Sequence, residues 1–79
     1  MAGLVRRWIE MDGRLLLVGL EREFWVALEE ISRAEGLSIA DLCRWIGGRE
    51  PGMELSRATR SFSVDWMRMA AAGRQAGEA

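Results

Sequence analysis

The chain has 79 residues, of which 11 are arginine and 12 are acidic, with no histidine and one cysteine, for a formal net charge of −1. So balanced a charge puts no field over the whole molecule that would draw nucleic acid or an anionic membrane, and any site for a polyanion is therefore local. One cysteine, Cys43, without histidine excludes a disulfide framework, zinc-ligand spacing and a cysteine-histidine nucleophile pair.

Residues 1–4 are expected to be disordered and residues 5–70 to form the single domain. Val5 to Met11, VRRWIEM, reads as a first strand (5–11), and Asp12-Gly13 is a two-residue hairpin signal before a second (14–20). The uncharged run Leu15 to Leu20 is rich in aliphatics. With Asp12 and Gly13 as the loop, Met11 faces Arg14, Ile9 faces Leu16, Trp8 faces Leu17 and Arg7 faces Val18. Strand alternation then puts Leu16, Val18 and Leu20 on one face with Ile9 and Val5. Leu15, Leu17 and Gly19 share the other with Trp8, Glu10 and Arg6. The backbone groups of the second strand need partners on both edges, and a chain this small has difficulty offsetting its ordering entropy alone. Pairing with the same strand of a second copy answers both needs, so the expected unit is a homodimer built on a β-ribbon.

At Phe24 the apolar period becomes helical: Phe24, Ala27, Leu28 and Ile31 line one side, Glu29 and Glu30 the other. This predicts a helix over 22–35, ended by Gly36 in the left-handed cap conformation with Leu37 folding back. Ser38, with Asp41 three residues on, opens a second helix over 38–47 whose stripe is Ile39, Leu42, Cys43 and Ile46. Gly47 to Met53, GGREPGM, reads as a loop. Ser56 is the expected N-cap of a third helix over 56–70 that buries Ala58, Thr59, Phe62, Trp66 and Met69. Residues 71–79 are expected to fray. The predicted core joins Leu16, Val18 and Leu20 to Phe24, Leu28 and Ile31 of both chains, closed by Ile39, Leu42 and Ile46.

Glu29, Glu30 and Glu35 belong to a solvated helix face, and Met53, Met67 and Met69 beside Trp66 read as packing rather than a cofactor box. The residues therefore point to no enzyme, no metal and no cofactor. No secretory signal or membrane-length apolar run is visible, so a soluble cytoplasmic protein is expected.

The segment RLLLVGLEREFWVALEEISRAEGLSIADLCRWI resembles the ribbon-helix-helix proteins, the superfamily of the Arc and MetJ repressors, and within it an alphaproteobacterial-type branch. The resemblance is carried by Leu20-Glu21, Phe24-Trp25, Leu28, Ile31, Gly36-Leu37-Ser38, Ile46, Pro51-Gly52, Leu55-Ser56-Ala58 and Phe62, over roughly residues 5 to 68. It implies an α+β fold: a homodimer with an intermolecular antiparallel ribbon, here with an N-terminal hairpin strand and an extra C-terminal helix. It further implies a transcriptional regulator whose ribbon enters the major groove of double-stranded DNA. On this chain the DNA-facing positions would be Leu15, Leu17, Gly19 and Arg14. Gly36, Leu37 and Ser38 would clamp a phosphate at a helix N-terminus, with Arg6 and Arg7 as accessory cations.

The residues themselves also support a second reading. Major-groove edges are read by donors and acceptors, whereas Trp8, Leu15 and Leu17 make an apolar patch of the kind that binds a protein partner, a ligand or a further dimer. A hairpin in each protomer would also give the dimer a four-stranded sheet, broader than a major groove of about 12 Å.

Overall fold

The computed structural model describes residues 3–78, in the order β1 (Val5–Met11), β2 (Arg14–Leu20), α1 (Arg22–Glu35), α2 (Ile39–Arg49) and α3 (Leu55–Glu78). The two strands form an antiparallel hairpin with Val5 opposite Leu20, Trp8 opposite Leu17 and Met11 opposite Arg14. Its two-residue turn requires positive φ at both positions, and Asp12 (53°) and Gly13 (78°) supply it. One face of the hairpin, carrying Ile9, Val18 and Leu20, lies on the helices and is buried.

β2 runs directly into α1, because Glu21 keeps extended backbone while its carbonyl already accepts the Phe24 and Trp25 amides. The other end of α1 closes on Gly36, left-handed at φ 69°, and the amides of Gly36 and Leu37 both donate to the Ser32 carbonyl. The Ser38 hydroxyl then accepts the Asp41 amide at 3.0 Å as the N-cap of α2. The core gathers Ile9, Val18, Leu20, Trp25, Leu28, Ile31, Leu42, Cys43, Ile46 and Ala58, with Phe24, Ile39, Phe62 and Trp66 packed at its margin. On α3, Ala58, Thr59 and Ser63 are buried and small, and both hydroxyls are satisfied by carbonyls of their own helix.

Several expectations need correction. α2 continues past its two glycines to Arg49, since its end is set by Pro51: Glu50, the residue before it, takes φ −126° and leaves the helix. α3 begins one residue before Ser56, and its first free carbonyl, from Glu54, accepts the Ala58 amide at 2.9 Å. It also runs to Glu78 through the stretch expected to fray, because Ala70-Ala71-Ala72 are the strongest helix formers available; Ala79 lies outside the described residues. Of the N-terminal stretch, Met1 and Ala2 likewise lie outside, whereas Leu4 packs on Gly19: its Cδ1 stands 3.3 Å from where a Gly19 Cβ would be.

In the core, Trp25 rather than Phe24 is the fully buried aromatic of α1. Its indole Nε1 donates to the Val5 carbonyl at 2.8 Å, a partner on β1 that helical periodicity does not reveal. Met69 points to solvent, and Leu16 is left 41% exposed within one protomer.

Leu28 is fully buried, so Leu28→Ala should lower unfolding free energy by about 2–5 kcal/mol in a urea titration. Burial also pushes the Cys43 thiol up to about 11, which leaves it protonated and inert at neutral pH. The folded value lies above the unfolded one, so the stabilisation it reflects is intact below pH 9.0 and is lost as pH rises toward 11. Iodoacetamide should therefore label Cys43 far more slowly in the native protein than in denaturant at the same pH.

Candidate functional site

The hairpin leaves one edge of β2 unpaired. In a two-residue hairpin the pair flanking the turn is hydrogen bonded and the pairs then alternate, so Met11–Arg14, Ile9–Leu16 and Arg7–Val18 exchange bonds across the ladder. The amides and carbonyls of Leu15, Leu17 and Gly19 consequently point away from β1, toward the open edge. Along that edge lies a groove of about 470 Å³, with Leu4, Arg6 and Leu16 to Gly19 on one wall and Glu54 with the first turns of α3, to Arg60, on the other. The edge carries none of the devices that normally protect one, having no lysine, proline or inward charge between Leu15 and Leu20.

The outer face of the hairpin is apolar in its middle. Trp8 and Leu15 are each 65% exposed and Leu17 50%, and alternation places them side by side. Arg6 and Glu10 flank Trp8 on the same face, two residues to either side, and neither has an ion-pair partner among the described residues.

The sequence-derived site residues separate on this framework. Leu15, Leu17 and Gly19 share the outer face with Arg6. Arg14 does not: its partner is Met11, so it belongs to the helix-facing side and cannot join the leucines. Arg7 also leaves the set, since its guanidinium lies 5.0 Å over the Trp25 ring and 3.7 Å from Glu29. At the proposed clamp, the Gly36 and Leu37 amides are spent on Ser32, and the hydroxyl of Ser32 donates to the Leu37 carbonyl at 2.7 Å. The free amides at the start of α2 are therefore those of Ser38, Ile39 and Ala40, two residues further along than the Gly36–Ser38 set and sharing only Ser38 with it.

Ion pairs fix this arrangement. Arg44 bridges Asp41 (2.7 Å) and Asp12 at the hairpin tip (3.4 Å), tying the turn to α2. Arg60 donates to Glu21 at 2.8 Å, joining α3 to the junction between β2 and α1. The same hydrogen bond holds the Glu21 carboxyl below the usual carboxylate range. Sequence reasoning missed Arg44, Arg60 and Leu4. Only Leu4 left a signal, because it has the parity of Arg6 and Trp8. A second hollow of about 460 Å³ lies between α2 and α3. At its rim Trp45 and Phe62 meet edge to face at 5.3 Å, with Arg49 stacked 4.8 Å over the Trp45 ring. Among the described residues no three of His, Cys, Asp and Glu converge as metal ligands, and no helix is long and apolar enough to cross a membrane.

Comparison with curated proteins and with solved structures gives no match. The family model described as a ribbon-helix-helix domain matches residues 4–67, which spans the hairpin, α1, α2 and the half of α3 that packs on them. With a strand entering α1 directly and a left-handed glycine leading into a Ser-capped α2, the chain belongs to the ribbon-helix-helix family.

Proposed function

We propose that the protein is a cytoplasmic, homodimeric DNA-binding regulator, acting as a repressor, in which β2 of each protomer pairs antiparallel with β2 of its partner. The observation that carries this reading is the open, apolar edge of β2, bordered by a groove and leading straight into α1. With only Leu15, Leu17 and Gly19 presenting backbone groups outward, a two-fold pairing sets Leu17 against the partner's Leu17 and Leu15 against the partner's Gly19. Leu16, half covered in one protomer, is then covered by the second. The family's fold is generally that of DNA-binding regulators.

The manner of DNA contact follows from the residues on the outer face. Pairing gives a sheet in the order β1, β2, partner β2, partner β1, whose outer strands stand roughly 14 Å apart. Only the central pair fits a major groove of about 12 Å. It carries leucines, which can meet thymine methyl groups but no donors or acceptors. Arg6 on each outer strand and the first amides of α2 supply contacts to phosphate. Such a protein holds the backbone more than it reads bases. A second reading, favoured by the exposure of Trp8, Leu15 and Leu17, is that the same face binds protein.

Two measurements bear on these points. The melting temperature should rise with protein concentration, and the mass in solution should be twice 8.9 kDa or a multiple of that; a concentration-independent melt at monomer mass would remove the dimer. Duplex DNA should shift in a gel, with affinity falling about tenfold between roughly 50 and 200 mM salt if the two Arg6 side chains of a dimer carry the phosphate contacts. Absence of any salt-dependent shift would leave the protein-binding reading in place of the DNA one.

A further inference from the structure

We infer that the outer face of the sheet is closed, in the absence of DNA, by the same face of a second dimer, giving a tetramer of two stacked sheets. The inference rests on the β2-paired dimer above. Its evidence is the pattern of apolar and charged residues on that face.

Across the middle of the four-stranded sheet the pairing register lines up Trp8, Leu17, the partner's Leu17 and the partner's Trp8 as one apolar row. Four charges mark the corners. On each outer strand Arg6 lies at one end and Glu10 at the other, both exposed, both on the face of Trp8, and both without an ion-pair partner among the described residues. Because the dimer axis stands normal to the sheet, the two arginines occupy one diagonal and the two glutamates the other.

This pattern is complementary to itself. When a second sheet is laid face to face by a two-fold axis in the plane between them, every strand runs over one that it meets end for end. Trp8 then comes over Trp8, and each Arg6 comes over a Glu10 of the other dimer. Either in-plane axis gives the same contacts, so all four Arg6–Glu10 pairs form together. Sheets stacked in this way stand about 10 Å apart, a gap that Trp8 and the leucines are large enough to fill. A DNA duplex fits the corners less well, since the glutamate diagonal would face phosphate. A foreign protein partner would need to reproduce the two-fold alternation of charge. A second copy has it by construction.

The tetramer would occlude Leu15, Leu17 and Arg6, so DNA and the second dimer compete for one face, and assembly would regulate binding. Charge reversal tests the inference without touching the core. In sedimentation equilibrium of the full chain without DNA, the parent protein should reach tetramer mass. Arg6→Glu and Glu10→Arg should each raise the tetramer dissociation constant by at least about tenfold, since every pair turns from attraction to repulsion. The double variant Arg6→Glu/Glu10→Arg should restore the tetramer, because the swapped charges still face each other. A parent that stays dimeric, or a double variant no better than the singles, overturns the stacking. The singles also separate this failure from that of the dimer: they should stop at dimer mass if β2 pairing holds, and fall to monomer if it does not.

Discussion

A strand in the middle of a protein must have its backbone satisfied on both sides, and β2 is satisfied on one. Everything around it depends on this. β1 exists as its partner on the closed edge, held there by an Asp-Gly turn whose two positive φ values fix the register. Register in turn decides which side chains reach the helices: a slip by one residue would send Leu15 and Leu17 into the core and bring Val18 and Leu20 out. On the open edge the outward amides of Leu15, Leu17 and Gly19 would be a template for aggregation in a protein that was meant to remain single. Their placement beside a groove makes them intelligible as half of a pairing.

The two faces of the hairpin are both apolar, and only one is explained by the fold of a single chain. Ile9, Val18 and Leu20 are buried under α1, α2 and α3. Trp8, Leu15 and Leu17 lie outside the core and expose hydrocarbon to water, where each 100 Å² left uncovered forgoes roughly 2.5 kcal/mol of burial energy. Their persistence on the ribbon face, where readers of base edges would ordinarily be polar, separates the fold from the chemistry usually mounted on it. The family assignment fixes how the backbone is arranged. The side chains on the ribbon determine what that backbone can bind.

The hairpin, three helices and family were legible in the sequence because local signals carry them: the Asp-Gly dipeptide, the switch from period two to helical period at Phe24, the Gly-Leu-Ser junction. The inner and outer faces followed from alternation once the turn was placed. Long-range choices were not legible. Nothing local in α1 says that the Trp25 indole will find the Val5 carbonyl and displace Phe24 to the margin. Arg7 looks like a free cation until Trp25 and Glu29 are seen beneath it. Arg14 parts from the leucines for a different reason, since its parity already placed it with Met11 on the other face of the hairpin. The Gly36 and Leu37 amides were not available as the sequence suggested, because a Gly cap uses them to finish the preceding helix and leaves those from Ser38 to Ala40 free.

α3 changes what the proposed dimer would have to cover. In one protomer it covers the helices through Ala58, Thr59 and Ser63, small residues that let it approach closely, and Arg60 fastens it to Glu21 where β2 ends. The protomer therefore closes much of its core by itself, and on the helix-facing side of β2 it leaves Leu16 half exposed beside the open strand edge. Yet the first turns of α3 also form the far wall of the groove beside β2, so a strand entering there lies against α3 as well as against Leu15, Leu17 and Gly19. Arg60, which lines that groove, is the residue that pairs with Glu21 where β2 ends, so the groove wall and the strand end meet at one contact.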